Sequence, residues 1–485
     1  MIVTLYTSRV VLNVLGIEEY GIYNVVGGIV VLFTFLNSAM ASATQRFLAF
    51  DIGAENHNSL VRTFISVLII HIVIGLVIIL LCETVGIWYL QEKLQFPREK
   101  ISSVKFIFQL SILSVFISVV QVPFHSLIIA YERMKVYAYL GIFEVVLKLL
   151  IVYLLTYFSM DKLKLYSLLT TLSTAVVFLV YAIYCRVQFA AVFSFRRLSL
   201  DFKKFKILLS YSGWNLFGNL AAMSRVQGHN LLLNDFYGPK VNAAYSVTLQ
   251  VQNALNLFVN NIQLAISPQI IKKYAQNDIS NVLKLIFQGA RYCFFMMFLL
   301  LVPIYVNMEY ILKKWLVLVP EYTVNFSRLC LIIILIDSLS GPIMTGIQAT
   351  GKIKKYQMLV GLLLFFNLPL SYFLLLIFKE PIVVFCTSIT ISVLALFFRL
   401  YFLKSTLNVS IFSFCKDLFI RIFLTILLTL AAGYFLNTFF AEKSGLRVLY
   451  TICLIFCMIV NVLIFAMKKE EKNTIMKKIN KVRYE

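Results

Sequence analysis

Long apolar runs recur along the whole chain, and they constrain its fold more than any other feature of the sequence. Each run holds about 18 to 25 residues, which as an α-helix is long enough to cross a hydrocarbon core of about 30 Å. Hydrophobic side chains make up 61% of the chain, well above the roughly 45–50% of a typical soluble protein. Because helices satisfy their own backbone hydrogen bonds in lipid, the sequence predicts an all-α integral membrane protein.

Proline, glycine and charge clusters delimit about 14 predicted transmembrane helices. The first run, 1–15, is too short to span a membrane, so either the first helix is truncated or its true start lies upstream. The other spans are placed near 22–45, 63–90, 106–130, 136–158, 165–186, 209–233, 241–270, 285–308, 326–349, 356–378, 381–403, 417–438 and 447–467.

Basic residues give the chain a formal net charge of +22, and they concentrate in the short loops between spans. Alternate loops differ roughly twofold in Lys and Arg, and the richer side holds the midpoint linker and the C-terminal tail. Both termini are therefore predicted to face the cytoplasm. Since orientation accounts for the charge, no nucleic-acid partner is expected.

Two pairs of matching segments indicate an internal duplication. The turn from Gly16 to Tyr23 recurs with the same spacing from Gly238 to Tyr245, at an offset of 222 along the chain. Residues 123–137, PFHSLIIAYERMKVY, and 342–356, PIMTGIQATGKIKKY, both fit P-x4-I-x-A-x2-[KR]-x-K-x-Y at an offset of 219. Because the two matches are collinear, the chain is predicted to contain two copies of one six-helix unit.

The duplication predicts five segments along the chain. They are an N-terminal six-helix lobe with a truncated first helix (1–190), a basic cytoplasmic linker (191–208), a second six-helix lobe (209–405), two additional transmembrane helices (406–467) and a basic cytoplasmic tail (468–485). Six is an even number, so both lobes enter the membrane from the same side, which implies a pseudo-two-fold axis along the membrane normal. Two such lobes that rock about a central cleft are the architecture of a transporter.

Four charged side chains fall well inside predicted spans: Arg9, Lys148, Arg225 and Asp337. Charge is costly in the hydrocarbon region, so each of them is a candidate functional residue. Lys148 corresponds to Asn367 at the duplication offset, and a charge present in only one copy suggests a ligand. The alternative is an ion pair of Lys148 with Glu144, one turn away on the same helix.

Amide side chains are unusually dense in the seventh and eighth predicted spans, and four of them are candidate cavity residues: Asn215, Asn253, Asn256 and Asn260. So many amides cannot all face lipid, and they are expected to line a wet cavity or another helix. An amide both donates and accepts hydrogen bonds, which suits the hydroxyl groups of sugars.

Catalytic and metal-binding patterns are missing from the sequence. The aspartates form no DxD pair, the four histidines are scattered, and no nucleotide-binding loop occurs. The eight cysteines lie mostly within spans and include no CxxC pair, so they are interpreted as packing residues. We therefore expect no enzyme activity, no cofactor and no metal site.

Several segments resemble bacterial polysaccharide flippases of the Wzx type, which belong to the MOP superfamily together with MATE exporters and MurJ. The similarity is carried by LYTSRVVLNVLGIEEYGIYNVVGGIVVLFTFLNSAMASATQRFLA (5–49), SGWNLFGNLAAMS (212–224), FYGPKVNAAYSV (236–247) and the ATGKIKKY turn. The resemblance implies a transporter in the bacterial inner membrane that flips undecaprenyl-pyrophosphate-linked oligosaccharide for surface polysaccharide such as O-antigen, lipopolysaccharide or capsule. Membrane lipids and the polysaccharide polymerase machinery are then its expected partners.

The resemblance and the residues together give one mechanistic hypothesis. Arg9, Lys148 and Arg225 attract the pyrophosphate, the amides take the glycan, and the prenyl tail stays in lipid while alternating access moves the head group. Asp337 or Glu144 is the candidate carrier of a coupling proton or sodium ion. The alternative function is a MATE-like multidrug or cation antiporter, which would need an anionic cleft.

Overall fold

The computed structural model describes residues 35–92, 100–158, 161–193, 201–316, 318–408, 410–440 and 447–466, together with scattered positions between 7 and 30. Every regular element in these residues is helical. The α-helices are α1 (Phe35–Gly53), α2 (His57–Leu81), α3 (Ile101–Ala130), α4 (Met134–Tyr157), α5 (Lys162–Gln188), α6 (Phe202–Ala275), α7 (Ile279–Val306), α8 (Met308–Trp315), α9 (Thr323–Ala349), α10 (Lys354–Phe378), α11 (Val383–Leu407), α12 (Phe412–Phe440) and α13 (Arg447–Asn461). A π-helical turn, Cys82–Gly86, continues α2 into Ile87–Glu92, and a second, Val462–Ala466, follows α13.

Nine helices of the described part of the chain are long and apolar enough to cross a membrane. The predicted all-α membrane fold is confirmed, and the later predicted spans agree closely with the structure: 356–378, for example, is Lys354–Phe378. The polar-rich α6 is not among the nine. It carries the predicted spans 209–233 and 241–270 as one helical element, interrupted where Gly238 takes a φ of 75°.

The first compact unit contains residues 1–219 and 271–277. Within it α3 is central, because it packs against α1, α2 and α5, while α4 packs mainly against α5. Apolar side chains from α2 and α3, such as Ile78, Ile107 and Phe108, are buried together with Leu155 of α4.

The second compact unit contains residues 220–270 and 278–485. Here α9 is central and packs against α7 and α11, while α10 packs against α11 and α12 against α13. Tyr245, Phe326 and Phe385 lie in its buried core. The central helices α3 and α9 are the two that carry the PFHSLIIA and PIMTGIQA segments, so the same repeated helix organises both units. The predicted domain boundaries around the linker 191–208 stay a prediction.

Backbone geometry repeats where the sequence repeats. Left-handed residues occur in pairs at the offsets that the sequence predicts: Gly16 with Gly238 and Glu55 with Asn277 at the first offset, and Glu132 with Gly351 at the second. Helix caps repeat as well, since Asn56 and Asp278, which are related by the first offset, each accept a hydrogen bond from the backbone three residues later. The turns of the two copies are therefore alike even where their side chains differ.

Candidate functional site

A cavity of about 370 Å³ lies within the second unit, among α6, α9, α10 and α11. Its polar lining consists of Arg225, Asn256, Asn260, Gln263, Asp337, Ser338, Ser340, Ser392 and Arg399. Two arginines face a single aspartate, so the charged groups of this cavity leave one positive charge in excess. The cavity is defined below as the cationic cavity.

Arg225 comes from α6 and is a predicted pyrophosphate ligand that lines this cavity, together with the predicted residues Asn256, Asn260 and Asp337. Its Nη2 lies 3.5 Å from Asp337 Oδ2 on α9, and its Nη1 donates a hydrogen bond of 3.2 Å to Ser392 Oγ on α11. The Arg225 side chain is 14% exposed, whereas that of Asp337 is 36% exposed. A pair at 3.5 Å that is open on its carboxylate side holds the guanidinium in place without saturating its donors.

Arg399 is a second cavity arginine, which reasoning from the sequence missed. It lies on α11 with only 8% of the residue exposed, and its Nη1 donates a hydrogen bond of 2.8 Å to Ser340 Oγ. Its buried Nε has no hydrogen-bond partner, and no carboxylate of the described residues lies within 4.0 Å of the side chain. A buried cation without a counterion is a candidate anion site, because a bound anion would compensate its desolvation.

The criterion that selected Arg225, a charged side chain inside a predicted span, also applies to Arg399. It lies within the predicted span 381–403, four residues from its end, where a long basic side chain can reach the headgroups. The helix extends instead to Leu407, which places Arg399 two turns inside it.

The four predicted amides do not all lie together. Asn256 and Asn260 line the cationic cavity, and Gln263, one turn farther along α6, joins them. Asn253 is exposed and lies outside the lining, while Asn215 is buried in the first unit. Gly341 explains the position of Gln263: a Cβ at residue 341 would lie 2.0 Å from the Gln263 amide nitrogen, so only glycine lets this amide lie against α9.

A second cavity, of about 300 Å³, lies within the first unit among α3, α4 and α5. Lys148 and Glu144 of α4 both line it, and their Nζ and Oε1 atoms are 2.7 Å apart. The helical ion pair that the sequence left open is thus formed. The remaining polar lining is uncharged or histidine: Ser118, Gln121, His125, Thr170, Ser173 and Thr174. We call it the neutral cavity, because its two charges compensate each other.

Arg9, the third predicted pyrophosphate ligand, lies outside the described residues. In the part of the chain that the structure describes, no group of three or more His, Cys, Asp or Glu side chains could hold a metal ion. All eight cysteines are free, and four of them are buried.

Comparisons with known proteins give both a family and a fold. A model of the polysaccharide biosynthesis protein family matches residues 1–274. No curated protein sequence matches the chain. Three similar solved structures are a MATE protein in a bent conformation (14% identity, TM-score 0.69, covering 84% of this chain and 93% of that one), an outward-facing multidrug resistance MATE transporter of the MOP superfamily (12%, 0.68, 84% and 92%), and a MOP superfamily transporter from Pyrococcus furiosus described as having a binding pocket of reverse polarity (12%, 0.68, 84% and 94%).

At these identities the solved structures establish the fold, and the family model covers more than half of the chain. The chain belongs to the polysaccharide biosynthesis protein family and is a multi-pass membrane protein whose fold is that of the MATE transporters.

Proposed function

We propose that the protein flips a polyprenyl-pyrophosphate-linked oligosaccharide across the bacterial inner membrane by alternating access, with both termini in the cytoplasm. The observation that carries the proposal is the cationic cavity, in which Arg225 and Arg399 face one carboxylate. The pyrophosphate that joins a prenyl chain to a sugar is a dianion, so it suits two arginines. The glycan would serve surface polysaccharide assembly, as the name of the family suggests.

The two arginines differ in the hydrogen bonds that they have available for an anion. Arg399 has a buried Nε with no partner, so an anion would complete its hydrogen bonding without displacing a protein group. Arg225 already has Asp337 at 3.5 Å, and an arriving phosphate would compete with that carboxylate. In a site of low dielectric, charge-assisted hydrogen bonds from both guanidinium groups would supply most of the recognition.

The amides of the cationic cavity are proposed to bind the first sugar. Asn256, Asn260 and Gln263 follow one another on one face of α6, at helical spacings of four and three residues. Each offers a donor and an acceptor to hydroxyl groups close to the phosphate. Arg9 and Lys148 remain predicted phosphate ligands, and a proton or sodium gradient remains the predicted energy source, with Asp337 and Glu144 as its candidate carriers.

Reconstitution tests the proposal directly. The protein is placed in vesicles of phosphatidylethanolamine and phosphatidylglycerol, and binding and flipping of a short-chain prenyl pyrophosphoryl N-acetylglucosamine are measured. We expect saturable binding and protein-dependent flipping, and the corresponding prenyl alcohol should not compete because it lacks the dianion. No binding of the pyrophosphate compound would overturn the proposal.

A second measurement separates the flippase from the drug exporter. Loss of the protein in its host should remove surface polysaccharide and leave the lipid-linked unit on the cytoplasmic leaflet. Overexpression should leave susceptibility to cationic drugs unchanged, because a cavity with a positive excess repels cations. Broad drug resistance with normal surface polysaccharide would favour the antiporter instead.

A further inference from the structure

A buried network of polar side chains centres on His229, next to the cationic cavity in the second unit. His229 Nε2 donates a hydrogen bond of 2.5 Å to Asn367 Oδ1 on α10, and Asn367 Nδ2 in turn donates at 3.4 Å to Ser388 Oγ on α11. Ser371 Oγ lies 2.7 Å from Thr387 Oγ1 and 3.4 Å from the imidazole. All five side chains are at most 4% exposed. Burying five polar side chains costs free energy, and the needs of packing alone do not explain why this network is present.

The network fixes the tautomer of the imidazole. Because the amide nitrogen of Asn367 is directed to Ser388, its oxygen faces His229, so Nε2 must carry the proton. Nδ1 then presents a lone pair, and it makes no hydrogen bond with the described residues. His71 provides a contrast: its Nδ1 lies 2.7 Å from the Val67 carbonyl oxygen of its own helix and is therefore the donor. His229 Nδ1 is free to accept a second proton.

His229 also lines a small pocket of about 20 Å³ together with Arg225, Tyr245, Gln252 and Cys330. This volume is enough for one water molecule, which would give a proton access to Nδ1. The charged and titratable groups that face the imidazole are Arg225 and Tyr245 of α6 and Cys330 of α9, while α10 and α11 present only neutral polar and apolar side chains. Arg225 is the only one of these with a full charge, and it opposes protonation of His229, one turn away.

We propose that His229 is a proton-binding site coupled to occupation of the cationic cavity. While the cavity is empty, the positive charge of Arg225 disfavours an imidazolium at residue 229. A bound dianion compensates Arg225, so His229 takes up one proton at Nδ1 as the substrate binds. By linkage, protonation of His229 strengthens substrate binding by the same factor. The inference rests on the proposed function, because it requires an anion at Arg225.

The test is the pH dependence of affinity. The probe is the prenyl pyrophosphoryl N-acetylglucosamine, a pyrophosphate diester without a group that titrates near neutrality, and Kd is measured over roughly pH 5.5 to 8.5, which brackets the ordinary histidine pKa of about 6.5. Binding favours the protonated imidazole, so the added affinity is largest at the low end and is lost as pH rises. We expect Kd to increase by up to about tenfold per pH unit within this window.

Two matched variants assign the proton. H229Q keeps a donor for Asn367 but cannot be charged, so its Kd should be independent of pH and equal to that of the wild type at the alkaline end. H71Q replaces another buried histidine, outside the cationic cavity, and should keep the wild-type slope. Uptake of one proton per bound probe, measured in weakly buffered solution, should be seen in the wild type and H71Q and be absent in H229Q.

The outcomes separate the inference from the function on which it rests. Failure of the wild type to bind the probe at any pH would overturn both. Binding whose Kd does not change with pH would overturn the proton site alone, and this measurement needs no variant that might fail to fold. A pH dependence that H229Q retains would also overturn the assignment to His229.

Discussion

The two cavities occupy matching positions in the two copies of the repeat, yet their charges differ. At the offset of 219, five lining pairs correspond: Ser118 with Asp337, Gln121 with Ser340, Val122 with Gly341, His125 with Met344, and Ser173 with Ser392. The same faces of the same repeated helices thus enclose a cavity in each unit.

The two cavities differ in the net charge of their linings. In the neutral cavity Lys148 and Glu144 are four residues apart on one helix and compensate each other locally. In the cationic cavity Arg225 and Asp337 come from different helices, and Arg399 has no carboxylate partner among the described residues. The two repeats therefore hold similar cavities, and only one of these carries an excess of positive charge.

The largest expected effect comes from removing both cavity arginines. R225Q/R399Q should weaken binding of the prenyl pyrophosphate probe by about a hundredfold or more, because each charge-assisted hydrogen bond contributes about 1.5–3 kcal/mol and about 1.4 kcal/mol is a factor of ten. Binding is measured in detergent by equilibrium titration. R328Q/R421Q removes two arginines of the second unit that do not line the cavity and should bind normally. Equal binding by both double variants would refute the anion site.

The helix turns that precede α2 and α7 offer a comparison of packing. Gly53 lies so close to the end of α6 that a Cβ there would be 2.5 Å from Lys272 Cα, whereas the repeat-equivalent position is Ala275. G53A should lower the free energy of unfolding by about 1–3 kcal/mol, because backbone cannot move aside as a side chain can. Thermal unfolding in detergent measures the change.

The matched control for G53A is G141A. Gly141 lies in α4, and a methyl group added there would have nothing within 4 Å, so alanine should be tolerated. A Tm of G53A equal to those of the wild type and G141A would show that the α1 and α6 backbones separate without cost.

Helix capping also differs between the two repeats. Asp161 caps α5 by accepting hydrogen bonds from the Lys164 amide and the Ser103 hydroxyl, both at 3.2 Å, whereas Ile382 at the start of α11 offers no side-chain cap. D161A should cost about 0.5–2 kcal/mol of stability. E380A, at the equivalent position of the second copy, should cost little.

The capping contribution of Asp161 depends on pH. Partial burial tends to raise the pKa of Asp161, but hydrogen bonds from Lys164 and Ser103, with the Lys164 ammonium, hold it below its ordinary value of 3.8. The stabilisation is therefore complete above the ordinary value and is lost as pH falls through the lowered pKa. The difference in Tm between wild type and D161A should shrink over that acid range. A constant difference would indicate that the carboxylate charge does not matter.

The smallest effect is expected from the neutral cavity. K148Q should weaken binding of the probe by no more than about fivefold, because a half-exposed ion pair on one helix contributes about 1 kcal/mol or less. The same titration measures it, and E144Q serves as the matched variant of the partner. A loss as large as that of R225Q/R399Q would mean that Lys148 contributes as much to pyrophosphate binding as the two arginines together.

The sequence predicted what depends on local spacing and failed where helices from distant parts of the chain meet. Hydropathy placed α9 and α10 within a few residues, and the four-residue spacing of Glu144 and Lys148 made their ion pair one of two alternatives. The pairing of Arg225 with Asp337 was beyond prediction, because it depends on which faces of α6 and α9 are in contact.

The histidine network could not be predicted either, because its residues lie far apart along the chain. His229 and Asn367 are 138 residues apart, and nothing in the local pattern of either residue indicates the other. In the sequence, Asn367 stands out only as the neutral counterpart of Lys148. Its neutrality has a reason in the structure, since an amide at this position can accept from His229 and donate to Ser388 at once.

The paired left-handed turns show which feature the two repeats have in common where their sequences differ. Glu132 and Gly351 share a positive φ although their side chains differ, and so do Glu55 and Asn277. A glutamate is strained at positive φ, yet the bend has persisted. At these positions the two repeats share the sign of φ and not the identity of the residue, so backbone torsion angles reveal the repeat where the sequence does not.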